Sequence, residues 1–343
     1  MGRKQRVLVG AEHAWDSFRL RRRSRKPLRH FRIETYGGHG GPGGVVVRGR
    51  VLDNPPPSEA VDGEGAVAAL RRSLGQFATV ELPGVPLLVR IGEAVAETTT
   101  DGDGYFRALV DADHVHPRHL TSPWQRGTVE LAEPYRGVTG PQTAAFAVRV
   151  PSRHAVFGVI SDVDDTIIQT GVQRVGEMLL QTFTGSELTR TPFPGAPELY
   201  RDLAGRDNPV FYVSSSPWNL HAFLHGFLRH RDFPLGPLLL RDLVGTADGR
   251  ARKHDRIEEV LELHPDLRFV LIGDSGEKDP QIYADIVRDH PGRVLAVYIR
   301  EVRLDPGDGR VEQVSDAWAE DVPFVLAADS DAVRRHAASI GLL

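Results

Sequence analysis

The chain has 343 residues, of which 41% are hydrophobic and 26% charged, as in a soluble globular protein large enough for two domains. It contains no cysteine, which excludes disulfides, thiolate metal sites and cysteine nucleophiles and leaves metal binding to carboxylates and histidines. The formal net charge of -4 gives no general affinity for nucleic acid, so no nucleic-acid partner is expected.

The first 44 residues are predicted to be a basic N-terminal segment. They lack the apolar core of a secretory signal, and no apolar run in the chain reaches the roughly 18 residues that cross a bilayer, so a cytoplasmic location is expected. The stretch Arg19–Arg29 is either a solvated arm or a peripheral contact with anionic lipid head groups, which gains about 1 kcal/mol per basic residue. Gly37–Gly44, GGHGGPGG, follows no clear strand and is predicted to be a turn.

Residues 45–150 are predicted to form an all-β sandwich. Antiparallel strands are indicated by the segments VVVRGRVL, VPLLVRIG, ETTTDGDGYFRALV, GTVELA and AAFAVRV, which alternate in polarity between turn residues. Thr98–Phe106 is a hairpin by its Asp-Gly turn, and it resembles the turn of transthyretin-like and carboxypeptidase-regulatory-like sandwiches. A calcium loop at Asp101 and Asp103 is disfavoured because its later ligands are missing. The stretch Pro55–Gln76 is poor in strand formers and predicts a short inserted helix.

After Pro151 strands and helices alternate, which predicts a doubly wound α/β domain over residues 151–343. The predicted strands lie at 156–161, 210–214, 238–240, 269–272, 294–299 and 324–326. The predicted helices lie at 195–204, 217–229, 254–263, 280–289 and 330–340. Pro217 and Pro280 suit the first turn of a helix, because the missing N–H would be unpaired there.

The segment from Phe157 to Ile168, FGVISDVDDTII, is an apolar strand that ends in acids and a threonine. Ligands of open α/β sheets lie just outside the carboxyl ends of such strands, so Asp162, Asp164 and Thr166 fall where chemistry is expected. Taken alone, the segment could equally be an ordinary acidic loop that caps a helix.

Three further apolar segments lead into polar residues. Ser214 and Ser215 stand at a predicted helix start, where a hydroxyl and free N–H groups suit a phosphoryl oxygen, although a serine helix cap is the commoner case. Lys253 precedes an amphipathic helix and could neutralise a carboxylate and a phosphoryl group, or be an ordinary surface lysine. In FVLIGDSGEKDP a glycine allows a tight turn before Asp274, and both Asp274 and Asp279 could reach a metal.

In this order the four segments resemble motifs I to IV of the haloacid-dehalogenase-like (HAD-like) phosphatases. The resemblance implies a HAD-like Rossmannoid domain and an Mg²⁺-dependent phosphatase, with Asp162 as the nucleophile that forms an aspartyl-phosphate. It also implies that Asp164 acts as general acid and then as general base. The phosphoryl oxygens or the nucleophile would be held by Thr166, Ser214, Ser215 and Lys253. Mg²⁺ would be bound by Asp162, Asp274 and the carbonyl of Asp164, with Asp279 supporting the site at longer range or through water.

The segments ISDVDDTI, FYVSSSPWNL, RKHDRIEEVL and LIGDSGEKDP are also similar to those of the actin-patch-associated phosphatidate phosphatase family, related in its catalytic motif to the lipins. The resemblance covers about 45–327 and implies removal of phosphate from the phospholipid phosphatidate to give diacylglycerol. The eukaryotic members carry extensions for cytoskeletal partners that have no counterpart in this sequence, so partner binding is not carried over. A lipid-facing rim or, as we favour, core packing would account for Trp218, Leu220, Phe223, Met178, Leu179, Leu180 and Phe183.

Two other functions remain open. The short insert between the first two motifs leaves an open site, and the substrate could be a soluble phosphate ester instead of a lipid. Alternatively, the sandwich could be a binding module whose phosphatase domain is idle. That hypothesis is disfavoured because Asp162, Asp164, Lys253 and Asp274 are all present, and an idle site could lose any of them.

Overall fold

The computed structural model describes residues 28–54, 80–111, 113, 120–168, 192–241, 249–301, 318 and 321–343. Most of the predicted basic segment, the helix predicted within Pro55–Gln76 and the insert that contains Met178, Leu179, Leu180 and Phe183 lie outside these residues. None of the described helices is long and apolar enough to cross a membrane.

In the described N-terminal part, seven strands form one sheet. They are β1 (Arg32–Gly41), β2 (Gly44–Leu52), β3 (Pro86–Ile91), β4 (Ala94–Thr99), β5 (Tyr105–Val110), β6 (Trp124–Leu131) and β7 (Thr143–Arg149). Their hydrogen-bonded order is β4-β3-β6-β7-β1-β2-β5, and only the pair β1 and β7 is parallel among these neighbours. The two end strands, β4 and β5, also lie close together, with Thr98 Oγ1 donating to the carbonyl of Arg107 at 3.0 Å, and the sheet has its own apolar core.

The predicted strands of this part are confirmed, but two separate sheets are not, because the strands share one hydrogen-bonded order. The likeness to transthyretin-like sandwiches stays a prediction. The turn predicted over Gly37–Gly44 is wrong, since β1 runs through Gly41 and only Pro42 and Gly43 form the turn. Composition suggested a loop, whereas Gly38 to Gly41 pair with β2, and Gly38 and His39 also pair with β7. Gly37 lies at a bulge with a φ of 76°. The sheet therefore begins at Arg32, ahead of the predicted boundary at residue 45.

The C-terminal part contains a six-stranded parallel sheet in the described residues. Its strands are β8 (Gly158–Ser161), β9 (Val210–Pro217), β10 (Leu238–Arg241), β11 (Phe269–Asp274), β12 (Val294–Arg300) and β13 (Phe324–Ala327). The helices are α1 (Ala196–Ala204), α2 (His221–His230), α3 (Gly249–Leu263), α4 (Asp279–Asp289) and α5 (Ser330–Ser339), with a 3-10 turn at Trp218–Leu220.

This sheet is doubly wound, as the sequence predicted. Alternate residues of the same strand enter different apolar clusters: Val159 packs with α1, α2 and α5, and Ile160 packs with α3 and α4. The strand order β10-β9-β8-β11-β12-β13 reverses direction between β8 and β11. In open α/β sheets a ligand binds at this reversal, beyond the carboxyl ends of the strands. Asp162 follows β8 and Asp274 ends β11, so both acids lie at that point.

Three local predictions in this part need correction. Helix α3 begins at Gly249, so Lys253 lies within the helix and not before it. Val156 is 68% exposed and lies outside β8, because Asn208 Oδ1 rather than a neighbouring strand accepts its N–H. Pro217 ends β9 instead of opening a helix, since it remains extended and pairs with Arg241 of β10. Pro280, in contrast, lies in the first turn of α4 as predicted.

The N-terminal sheet packs directly against the C-terminal α/β part of the chain. Tyr36 of β1 stacks on Trp218 with ring centroids 4.6 Å apart and planes inclined by 9°. Tyr105 donates its hydroxyl to Asn219 Oδ1 at 3.2 Å. Trp218 and Leu220 are buried, which supports core packing over a lipid-facing rim at these two positions.

This contact should make the protein sensitive to acid through His221, whose ring lies 5.0 Å from that of Tyr36. Burial, with a smaller contribution from His225, lowers the pKa of His221 to about 4. In the unfolded chain His221 binds a proton near the ordinary histidine pKa of about 6.5, whereas in the folded state it binds one only at lower pH. We expect the free energy of unfolding to fall between pH 6.5 and pH 4 by up to about 3 kcal/mol from this residue. Urea unfolding across this range should show the loss in wild type, a smaller loss in His221→Gln and an undiminished loss in the exposed-site control His154→Gln.

Candidate active site

The loop that follows β8 brings the acids of the first motif together. Asp162 is fully buried, and its N–H donates to the carbonyl of Ile272 at 2.9 Å, which ties the loop to β11. Asp165 turns the chain with a φ of 53°, a left-handed conformation that aspartate tolerates better than most residues. Thr166 is buried in the same loop, while Asp164 is partly exposed. The loop therefore contributes one fully buried and one partly buried carboxyl group to the same region.

Lys253 connects the loop after β8 to the loop after β11. Its Nζ donates to Asp162 Oδ1 at 2.7 Å and to Asp279 Oδ1, and it lies 3.6 Å from Glu277 Oε2. Lys253 is only 1% exposed, so it is not an ordinary surface lysine. A buried ammonium requires compensating charge, and the three acids around it supply that charge.

Two serines of β9 hold the carboxyl group of Asp164. Ser214 Oγ donates to Asp164 Oδ2 at 2.8 Å and Ser216 Oγ to the same oxygen at 2.9 Å. Successive side chains of a strand point to opposite faces, so Ser215 points the other way, with its hydroxyl 3.3 Å from Glu277 Oε2. This arrangement depends on β9 remaining extended through Pro217, where the sequence had predicted a helix start.

The loop after β11 places two further carboxylates. Asp274 Oδ1 accepts the N–H groups of Gly276 at 2.6 Å and of Glu277 at 2.9 Å. Asp279 begins α4 and is completely buried, and its Oδ2 accepts the N–H of Asp274 at 3.3 Å. The backbone itself therefore orients both carboxylates, so their positions do not depend on side-chain rotation alone.

Gly273→Ala should damage this loop. A Cβ at residue 273 would lie 2.8 Å from both Cβ and Cγ of Asp279, closer than side chains approach. Overpacking of this kind costs about 1–3 kcal/mol, and Asp279 would shift away from Lys253. We expect urea unfolding to show that loss together with a lowered kcat. The control Gly292→Ala lies in open space but at a φ of 78°, so it should lose some stability and keep its kcat.

The site carries more negative charge than one lysine can balance. Burial raises the pKa of Asp162 and of Asp279, although the ammonium of Lys253 opposes the rise in both. Burial, with the charges of Asp279 and Glu277, raises the pKa of Asp274 to about 8. Burial disfavours the charged form of Lys253, yet the carboxylates of Asp162 and Asp279 hold the pKa of that lysine well above its usual value. Buried acids with raised pKa values and a charged partner are typical of functional sites.

The donor set fits a hard divalent cation such as Mg²⁺. Asp162 Oδ2, Asp274 Oδ2 and Thr166 Oγ1 are buried and have no hydrogen-bond partner among the described residues. One oxygen each from Asp162, Glu277 and Asp279 lies within 4.8 Å of the others. Mg²⁺ prefers oxygen ligands and usually keeps several waters, so a few carboxylates suffice. A cation here would also offset the excess negative charge.

The structure gathers all the residues that the sequence singled out. Around Lys253 lie Asp162 and Asp279, with Asp274 joined to Asp279. Asp164 and Thr166 lie on the loop after β8, and Ser214 and Ser215 lie in β9. Sequence reasoning missed Ser216 and Glu277. The alternation of a strand would have placed Ser216 beside Ser214, and Glu277 is a third acid within the loop that carries Asp274 and Asp279.

Comparison with known proteins identifies part of the chain. The family model for the catalytic domain of phosphatidate phosphatase APP1 matches residues 157–301. The phosphatidate phosphatase APP1 of Saccharomyces cerevisiae is 31% identical over 246 residues, which are 67% of this chain and 40% of that protein. An uncharacterized protein of Schizosaccharomyces pombe is 32% identical over 159 residues, 43% of this chain and 26% of that protein. The chain thus spans less than half the length of these two relatives.

Among solved structures, a HAD family hydrolase from Deinococcus radiodurans with bound phosphate and sodium covers 55% of this chain and 98% of its own, at 17% identity and a TM-score of 0.35. The family match is the informative one, because residues 157–301 enclose every acid, serine and lysine of the site described above. Residues 157–301 of this chain match the family model of the APP1 catalytic domain.

Proposed function

We propose that this protein is a phosphatase that hydrolyses phosphate monoesters through an aspartyl-phosphate on Asp162, and that its substrate is phosphatidate. The observation that carries the proposal is the buried pair of Asp162 and Lys253 at the strand reversal, beside an Asp164 held by two serines. A carboxylate beside a cation and a second carboxyl group on the same loop are the parts that two-step phosphoryl transfer requires.

In the first step a carboxylate oxygen of Asp162 forms a bond to phosphorus while the bond from phosphorus to the ester oxygen breaks. Two anions repel each other, and the ammonium of Lys253, 2.7 Å from Asp162 Oδ1, reduces that repulsion. Lys253 also holds Asp279, so it is fixed before the substrate arrives and need not reorganise during the reaction.

Asp164 is the proton donor and acceptor. Burial raises the pKa of its carboxyl group, with the nearby Glu277 adding to the rise and the hydroxyls of Ser214 and Ser216 opposing it. The raised pKa favours a protonated Asp164 that can give its proton to the departing ester oxygen. In the second step the Asp164 carboxylate takes a proton from water, the water oxygen bonds to phosphorus, and the bond to Asp162 breaks to release phosphate.

The carboxylates of Asp162, Asp274, Glu277 and Asp279 would hold the divalent cation. When bound, it would supply positive charge next to the phosphoryl oxygens and orient them for attack. We propose Mg²⁺ because every candidate ligand is an oxygen. Oxygens of Asp162 and Asp279 lie close enough to share one cation, which supports both as ligands. The described contacts give no such support for the carbonyl of Asp164.

Phosphatidate is proposed because of the relative named phosphatidate phosphatase APP1, which is 31% identical to this chain over 246 residues. Contact of the Arg19–Arg29 segment with an anionic bilayer would bring the enzyme to such a substrate, and it belongs to the same proposal. The second candidate is a soluble phosphate ester that carries another anionic group. A cleft of about 470 Å³ between the sheet and the C-terminal part favours it, because aromatic rings and four arginines line that cleft. They are Tyr36, Tyr105, Trp218, Arg48, Arg107, Arg241 and Arg256. Asp101 and Asp255 also line the cleft, and Arg48 and Arg107 pair with Glu259.

The test is phosphate release, with and without Mg²⁺, from phosphatidate in mixed micelles and from a panel of sugar phosphates, nucleotides and p-nitrophenyl phosphate. Release that needs the cation and favours phosphatidate supports the lipid substrate. Preference for a soluble bisphosphate, lowered by Arg241→Ala, supports the cleft as the specificity pocket instead. No release from any ester would leave only a binding role for the sheet and would contradict the phosphatase proposal.

A further inference from the structure

One of the contacts between the N-terminal sheet and helix α3, which carries Lys253, is made by a largely buried carboxylate. Glu259 of α3 is 12% exposed and receives side chains from three strands of the sheet. Arg48 Nη2 of β2 lies 2.5 Å and Arg107 Nη2 of β5 2.8 Å from Glu259 Oε2, and His39 Nε2 of β1 lies 3.3 Å from Oε1. Glu259 is thus the point at which three strands engage one helix.

The charges at this contact are strongly coupled. Burial alone would raise the pKa of Glu259, but the hydrogen bond from His39 and the charge of Arg48 hold it well below its usual value. Loss of these partners would destabilise the fold, because it would leave a buried charge without compensation. The position of α3 relative to the sheet is therefore defined by geometry and charge together.

The glycine-rich hairpin holds the end of the same helix. Gly43, in the turn between β1 and β2, donates its N–H to the carbonyl of Leu263 at 3.1 Å. A Cβ at Gly43 would lie 2.5 Å from the Glu262 carbonyl oxygen, and a Cβ at Gly41 would lie 2.8 Å from that of Leu263. Only glycine allows the hairpin to approach the helix backbone so closely. Close contact with α3 therefore explains the glycines at residues 41 and 43 of the GGHGGPGG motif, which a turn alone would not require.

The contact lies close to the reacting groups along the helix. Glu259 follows Lys253 by six residues, which is about 9 Å along an α-helix at 1.5 Å per residue. If α3 shifts at Glu259, the helix carries the shift almost rigidly to Lys253. Misplacing a catalytic group by about 1 Å can cost about 100-fold in rate. The inner face of α3 packs on β9 and β10, and the sheet holds its other side.

We propose that the N-terminal sheet is a positioning part of the active site. Glu259 and the hairpin residues Gly41 and Gly43 are positioning residues, which set α3 so that the Lys253 ammonium lies between Asp162 and Asp279. The kinetic part of this inference rests on the phosphatase activity proposed above. The structural part, the dependence of α3 on the sheet, does not.

The experiment compares Glu259→Gln and Gly43→Val with the control Glu130→Gln in the full chain. Glu130 also forms an ion pair with an arginine, its Oε1 being 2.7 Å from Arg90 Nε, but this pair joins β3 to β6 and does not involve α3. With p-nitrophenyl phosphate and Mg²⁺ we expect both test variants to lose about 10- to 100-fold in kcat with KM within about threefold. Glu259→Asp, which keeps the charge, should recover part of the loss, and Glu130→Gln should resemble wild type.

Hydrogen exchange of the α3 amides provides a readout that needs no turnover. We expect faster exchange over residues 249–263 in Glu259→Gln and Gly43→Val and no change in the control. Normal kcat in both test variants, or an equal loss of kcat and stability in Glu130→Gln, would overturn the proposal. If the wild-type protein hydrolyses no ester, the proposed function fails but the positioning role can still be tested by exchange. Exchange of the α3 amides at the wild-type rate in both Glu259→Gln and Gly43→Val would overturn the positioning role.

Discussion

Asp162→Asn should abolish turnover while leaving the protein folded. The variant keeps the shape of the side chain and removes the nucleophile, so we expect kcat to fall at least about 10⁴-fold for every phosphate ester that wild type hydrolyses. Its stability should stay close to that of wild type, because burial and the neighbouring acids disfavour the charged form of Asp162 while loss of its ion pair with Lys253 acts in the opposite direction. Phosphate release and urea unfolding on the same preparation measure both effects.

The control for this variant is Asp266→Asn, which removes an exposed carboxylate from the same half of the chain. It should retain activity within about twofold, as surface substitutions usually do. A trapped phosphoenzyme in wild type, seen as an 80-dalton mass increase expected for one phosphoryl group and absent from Asp162→Asn, would identify the residue directly. Turnover in Asp162→Asn near that of wild type would contradict the aspartyl-phosphate mechanism.

The C-terminal α/β half could be predicted in detail because its strands are buried on both faces. Such strands appear as continuous apolar runs, and each one ends where polar residues begin, as at Ile160 before Asp162 and at Ile272 before Asp274. The reversal of strand order then brings both ends together. The apolar pattern predicted the two strand ends, and the resemblance to the HAD-like phosphatases implied that Asp162 and Asp274 share one site; the observed strand order accounts for their proximity.

The errors arose where a tertiary contact outweighed a local preference. Proline at residue 217 normally suits a helix start, but pairing with Arg241 kept β9 extended, and this extension is what turns Ser214 and Ser216 to the same side. Likewise Gly37–Gly41 have little strand propensity, yet β1 forms because two strands pair with it and α3 requires close approach. No single-residue preference contains this information.

The contacts between the charged groups of the site could not be predicted from the sequence. Lys253 could be matched to a motif, but its burial between Asp162 and Asp279 depends on how α3 meets two loops. Glu277 was missed for the same reason, because its approach to Lys253 and Ser215 follows from the fold of the loop after β11. The sequence shows which acids are present, whereas the packing of the folded chain decides which of them surround the Lys253 ammonium.

Lys253→Met should therefore cause the largest loss of stability of any single substitution considered for this site. Methionine fills a similar volume but leaves Asp162 and Asp279 buried without their ammonium partner, and breaking a buried pair in this way costs about 3–5 kcal/mol. We also expect kcat to fall at least about 10³-fold, because charge repulsion at the nucleophile is no longer offset. Lys253→Arg should not restore activity, since a guanidinium has a different shape from the ammonium between the two carboxylates.

Urea unfolding with and without Mg²⁺ separates the charge effect from a general packing defect. The variant has one positive charge fewer among the same acids, so Mg²⁺ should raise its free energy of unfolding more than that of wild type. Lys278→Met, an exposed lysine in the loop after β11, should show neither the loss nor the enhanced response to the cation. If Lys253→Met unfolds within about 1 kcal/mol of wild type and responds no more strongly to Mg²⁺, the acids do not depend on Lys253 and the proposed charge balance is wrong.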